Sequence, residues 1–185
     1  AKNPRHAALG AVTAAEVQAS PLLADPLREL HCHPVSDGAV GLLLASEDRA
    51  PALCERPVWV TGLGSCMDSF FLGERPLDRS EALHRAASHA YRRAGISDPV
   101  GAFDLLELSD PYAHQQPLWL ESLGLCGAGE GGEFVAQGGL DRLHVNLSGG
   151  TLAGTPLLLG GLARVAEAAL QLAGRDGPGR QLPAP

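Results

Sequence analysis

The sequence predicts a layered α/β domain with a largely buried sheet, and three observations carry that expectation. Short apolar runs alternate with longer segments whose apolar residues recur at helical spacing. The runs themselves, Ala39 to Ala45 above all, show no in-out alternation, as in strands covered on both faces. Gly (23) and Pro (14) make about a fifth of the 185 residues while aromatics are 4%, so turns are frequent and the layers are packed from Ala, Leu and Val.

Taken in order, residues 1–38 read as a loop-rich segment leading into the core, broken by Pro4, Pro21 and Pro26. One short helix is expected in it, Ala14 to Ala19, capped by Thr13. The core, 39–174, opens on the strand Ala39 to Ala45, after which Ser46 caps a helix over Glu47 to about Leu53. Pro57 to Gly62 is a second strand. A long helix follows from about Ser80 to Ala94, with Leu83, Ala86, Ala87, Ala90 and Tyr91 on its apolar side and Gly95 closing it. Phe103 to Leu108 is a third strand, Ala113 to Leu123 a helix, and Gly124 to Gly139 a flexible glycine-rich loop. Leu143 to Leu147 is a further strand. Leu157 to Ala173 is the second long helix, with Leu162, Val165, Ala166, Ala169 and Leu172 as its inward stripe. The Gly/Pro-rich tail, 175–185, reads as a linker or a cut end.

Charge and cysteine usage narrow the function classes. With 14 Lys+Arg against 21 Asp+Glu the net charge is −7, and no basic run offsets it, which argues against nucleic acid and anionic membrane as partners. The longest apolar stretches are too short to span a bilayer and no apolar signal-peptide core is present, so a cytoplasmic location is expected. Cys32, Cys54, Cys66 and Cys126 form no CxxC pair and read as buried thiols.

Several motifs reduce to structural readings. Gly127-x-Gly129-x-x-Gly132 matches a dinucleotide fingerprint as a string, but it follows a helix, and Glu130 stands where phosphate charge must be accepted. His31-Cys32-His33 lacks the spacing of a zinc site, so no metal is expected. Two segments are richer. Glu107 to His114 places two carboxylates, a hydroxyl, a phenol and an imidazole where a buried strand runs out and a helix begins, a position that suits reactive groups. The plainer alternative is that Ser109 or Asp110 caps the next helix. His144 to Gly150 runs into paired glycines, and Gly154-Thr155-Pro156 then opens a helix. Close backbone approach to a ligand and a tight structural turn are both open there.

In order, Cys32-His33-Pro34-Val35-Ser36-Asp37-Gly38-Ala39, Val60-Thr61-Gly62, Ala94-Gly95-Ile96, Phe103 to Leu108, Glu121 to Cys126, Val145 to Gly150 and Gln171-Leu172-Ala173-Gly174 together resemble the C-terminal half of the thiolase superfamily. The sterol-carrier, or lipid-transfer, branch is the most similar. The resemblance implies half of an αβαβα sandwich with a mixed sheet. It also implies carbon–carbon bond cleavage or formation on acyl-CoA thioesters in lipid metabolism, steroid degradation included. No separate cofactor is implied beyond the coenzyme A of the substrate. A homodimer or heteromer follows as well, with a complementary half or a partner subunit such as an OB-fold protein.

The chain departs from that pattern at two places. Ser109-Asp110-Pro111-Tyr112 stands where the branch has His-Asp-Cys-Phe, and Gly154-Thr155-Pro156 where the family has Gly-His-Pro. Neither nucleophilic nor acid/base cysteine of the family has a counterpart among the four cysteines. Hydroxyls can donate to an oxyanion but cannot act as a base near neutral pH, so ordinary thiolysis is disfavoured. Retro-aldol cleavage needs no covalent cysteine. Its candidates here are Tyr112, His114 and Asp110, with Ser109 and Thr155 as donors and Asn146, Gly149, Gly150 and Gly154 shaping the substrate site. The alternative is a catalytically inactive subunit that stabilises or regulates an active partner.

Overall fold

The computed structural model describes residues 12–154, 156–177 and 179–183. Its elements are α1 (Ala14–Ala19), the strands β1 (Leu22–Ala24) and β2 (Leu27–Arg28), α2 (Ala50–Leu53), α3 (Glu81–Ala94), α4 (Gln115–Ser122), α5 (Gly131–Ala136), α6 (Gly139–Arg142) and α7 (Gly160–Leu172). The chain divides into two compact units. One takes the chain up to Trp59 together with Leu105–Ala113 and everything from Asn146 onward; the other takes Val60–Asp104 and His114–Val145.

In the first unit α1 begins as expected. The Thr13 hydroxyl accepts from Glu16 N at 3.2 Å, and the Glu16 carboxylate accepts from Thr13 N at 2.7 Å, a reciprocal capping box. The antiparallel pair β1–β2 follows, an element the sequence reading missed because Pro26 breaks its pattern. Residues 31–33 then run against 111–113. Cys32 bridges Tyr112, His33 N donates to Pro111 O at 2.8 Å, and Ala113 N donates to His31 O at 2.8 Å.

The four expected strands need correction. Among the described residues, Ala39 to Ala45, Pro57 to Gly62 and Phe103 to Leu108 form no strand; Leu106 makes a single bridge, which is too little for a ladder. Covering on both faces is also absent at Leu43 and Leu44, 85% and 81% exposed. Leu143 to Leu147 is a turn; His144 (φ 47) and Asn146 (φ 52) take left-handed backbone there, which a strand cannot contain. The helix after Ser46 is shorter than expected, and the Ser46 carbonyl, not its side chain, accepts from Arg49 N and Ala50 N.

α7 is shorter than the expected Leu157 to Ala173, since Leu157–Leu159 form a separate 3₁₀ turn ahead of it, and its faces are exchanged. Gly160, Ala163, Arg164, Glu167 and Gln171 are buried, while Leu162, Val165 and Leu172 are exposed. The polar side is stable inside because every charge on it has a partner. Arg180 binds Glu167 at 2.7 Å and Asp176 at 2.8 Å, and Gln171 Nε2 donates to Asp176 at 2.6 Å. Asp176 and residues 180–182 thereby fold back on α7.

The second unit is helical. Ser80 accepts from Leu83 N to cap α3, and Gly95 closes it in left-handed conformation (φ 73). Its expected apolar side turns inward: Ala87 is buried, and the Tyr91 hydroxyl donates to Leu123 O at 2.9 Å. The segment beside α3 needs glycine, since a Cβ at Gly62 or Gly64 would overlap the Ala90 or Ala86 carbonyl. The glycine-rich stretch is no flexible loop. It carries α5 and the start of α6, and the Glu121 carboxylate accepts from Gly129 N at 2.9 Å and Gly131 N at 2.8 Å. The chain's own carboxylate thus holds the place at the start of α5 that a bound anion would need.

Candidate functional site

The first unit gathers its polar groups around Asp110, which is 1% exposed. The segment 105–110 is fastened to the turn 146–151 by crossing hydrogen bonds. Asn146 N donates to Leu106 O at 2.7 Å, and the Asn146 side chain accepts from Leu108 N at 2.6 Å while donating to Asp110 Oδ2 at 2.8 Å. Thr151 N donates to the other oxygen, Oδ1, at 3.1 Å. Gly150 (φ 66) is required where it stands, since a Cβ there would lie 2.7 Å from Asn146 Nδ2 and 2.8 Å from Asp110 Oδ1.

A second buried cluster braces the same turn. Glu107 accepts from Ser148 N at 3.0 Å and Ser148 Oγ at 2.6 Å, and forms an ion pair with Arg164 of α7 at 2.8 Å. Arg164 also donates to Ser148 Oγ. The side chains of Arg164 and Glu107 are 4% and 2% exposed, so each neutralises a charge that could not stay buried alone. Burial pushes the Asp110 carboxyl up to about 6, against the lowering pull of its Thr151 and Asn146 hydrogen bonds and of the Arg164 charge.

The turn spends its amides internally. Gly149 N donates to Asn146 O, Gly150 N to Ser148 Oγ and Thr151 N to Asp110. The paired glycines therefore give shape and close approach, and the donor role passes to other groups. Ser109 packs where α7 starts, its hydroxyl 2.9 Å from the place of a Cβ on Gly160. Tyr112 is 37% exposed, with the His33 ring set edge-on to it at 5.9 Å between centroids. His114 belongs to the second unit, where it precedes α4. Gly154 (φ 113) lines a cavity of about 390 Å³ with Asp37, Val40, Pro156, Ala163 and Glu167. Thr155 lies outside the described residues.

Thus Asp110, Asn146, Gly149 and Gly150 come together as one assembly. Glu107, Ser148, Thr151 and Arg164 belong to it without having been singled out as site residues. A usable signal existed: Arg164 and Glu167 are charged residues inside an otherwise Gly/Ala/Leu/Val-rich helix. All four cysteines are free and half-buried.

The model of the family described as thiolase C-terminal domain-like matches residues 65–185. The chain belongs to that family. It is 36% identical over 181 residues to an acetyl-CoA acetyltransferase of Methanothermobacter thermautotrophicus, covering 95% of this chain and 46% of that protein. Rabbit (Oryctolagus cuniculus) sterol carrier protein 2 is 32% identical over 183 residues, 91% of this chain and 32% of that protein. The 17-hydroxy-3-oxo-4-pregnene-20-carboxyl-CoA lyase of Mycobacterium tuberculosis is 31% identical over 186 residues, 94% of this chain and 46% of that protein. A solved structure of an Ltp2-ChsH2(DUF35) aldolase superposes with a TM-score of 0.72 at 24% identity over 89% of this chain and 44% of that one, which shows the fold. The chain spans half or less of the length of the curated relatives it matches. The fold is accordingly the C-terminal half of the thiolase α/β architecture. No described helix is long and apolar enough to cross a membrane.

Proposed function

We propose that this protein acts on acyl-CoA thioesters by making or breaking a carbon–carbon bond, as a retro-aldol lyase in place of a thiolytic enzyme, together with a complementary half or partner subunit. The observation that carries the reading is the exposed phenol of Tyr112, three residues after Ser109, which stands where the resemblance calls for an imidazole. A phenol can carry the proton of a β-hydroxyl, which a hydroxymethyl side chain cannot do near neutral pH. Coenzyme A enters as part of the substrate. Support comes from a relative named as a CoA lyase and from the fold shared with an aldolase. The partner is supported by the exposed apolar side chains Leu43, Leu44 and Leu158 and by the half-length match to relatives.

One observation favours the alternative, a catalytically inactive subunit that stabilises an active partner. Asp110, a candidate proton carrier, is sealed from solvent and bonded to the turn. Purifying the protein with whatever accompanies it, then measuring acyl-CoA binding and cleavage, separates the two. The lyase reading expects binding, and turnover that falls roughly 100-fold or more in Tyr112→Phe. His114→Ala tests the imidazole in the same assay. A tight partner without acyl-CoA binding establishes the inactive subunit and refutes the lyase.

A further inference from the structure

We infer that Asp110 is a positioning residue that sets the conformation of the 146–151 turn through its charge state, tight when ionised and loosened when protonated. Both carboxylate oxygens are already acceptors, Oδ2 from Asn146 Nδ2 and Oδ1 from Thr151 N. A proton on the carboxyl removes the charge that strengthens both bonds, and each of them weakens. Asn146 cannot compensate by reversing its amide, because its Oδ1 is held by Leu108 N at 2.6 Å. Its own backbone is in the left-handed region, so the side chain is what keeps that conformation in place. Thr151 N and Gly150 both lie against Asp110 Oδ1, so a weaker hold on that oxygen reaches the end of the turn.

The charge that acts on Asp110 is that of Arg164 on α7, which attracts it and also pairs with Glu107 of the 105–110 segment. The turn itself contributes Asn146, Ser148 and Thr151, none of which titrates near neutral pH. Since burial raises the carboxyl to about 6, the change of state falls close to ordinary working pH.

The consequence for ligand binding rests on the acyl-CoA reading; the consequence for the turn does not. The test therefore has two readouts on the protein purified with whatever accompanies it. In NMR, the amides of Gly149, Gly150 and Thr151 are expected to titrate with one midpoint, equal to that of the Asp110 carboxyl carbon. In Asp110→Asn that shared midpoint disappears. Asn146→Ala removes one of the two bonds and keeps the carboxylate, so the Thr151 amide is still expected to follow Asp110 if the first variant fails to fold. Loop amides that ignore the carboxyl midpoint overturn the inference. Coenzyme A affinity is expected to weaken roughly tenfold from above to below that midpoint, the value of one charge-assisted hydrogen bond. An affinity that does not change across the midpoint overturns the coupling to the ligand. If coenzyme A fails to bind at every pH, the acyl-CoA reading falls while the amide titration still decides the role of Asp110.

Discussion

Removing Arg164 is the most informative perturbation of the first unit. The guanidinium lies 2.8 Å from Glu107, with 4% and 2% of the two side chains exposed. An Arg164→Met variant preserves much of the helix packing but leaves the Glu107 charge buried without its cation. Breaking a buried pair in this way costs about 3–5 kcal/mol. For a chain of this length that corresponds to a fall in melting temperature of about 6–20 °C. The second variant decides the cause. Adding Glu107→Gln removes the stranded charge, and an amide can still accept from Ser148 N and donate to Ser148 Oγ, so most of the loss is expected to return, to within about 1–2 kcal/mol of the starting protein. Calorimetry on the two variants and on Glu107→Gln alone completes the cycle. A single-variant cost below about 1 kcal/mol, or a double variant as unstable as Arg164→Met, would refute the account of a charge held in place by its partner.

Other consequences follow from the same geometry. Asp110 has its carboxyl raised in the folded state, so the stability it contributes is fully present below about pH 3.8 and is lost as pH rises through about 6. That amounts to about 3 kcal/mol across the window. Urea midpoints between pH 4 and 7 should therefore decline more steeply with pH, or rise less, in the native protein than in Asp110→Asn; equal slopes would exclude it. Gly150→Ala forces a Cβ against Asn146 and Asp110 at a positive φ and should cost about 2–3 kcal/mol by chemical denaturation. Ser80→Ala removes the bond to Leu83 N and should cost α3 about 1 kcal/mol, visible as faster amide exchange in its first turn. Glu121→Gln weakens the acceptor for Gly129 and Gly131, and exchange of those two amides should accelerate while α3 is unchanged.

What could be read from the sequence was local. Ser80 and Gly95 at the two ends of α3 are fixed by contacts within a turn, as are Thr13 and Glu16 at α1. The strands were misread for a complementary reason: a run such as Ala39 to Ala45 has the composition of a strand, but a strand exists only as one side of a ladder, which composition does not supply. The face of α7 was misread because hydrophobicity was assumed to point inward. Arg164 is neutralised by a residue 57 positions away and Glu167 by one 13 positions away, pairings no local window contains. At the site, Asp110, Asn146, Gly149 and Gly150 were legible because turn chemistry marks them. Ser148, Thr151 and Arg164 were not, since a serine, a threonine and an arginine acquire meaning only from what they are folded against.

The orientation of α7 has a consequence for engineering. Hydrocarbon at Leu162, Val165 and Leu172 is in contact with water while ionic groups are hidden on the opposite flank. Ordinary surface design is reversed there. Exchanging those three outward side chains for glutamate or lysine should raise the concentration at which the purified chain stays dispersed, with little change in how firmly its fold holds. Trading the inward arginine or glutamate for leucine one at a time, a change usually counted as strengthening a core, should do the opposite.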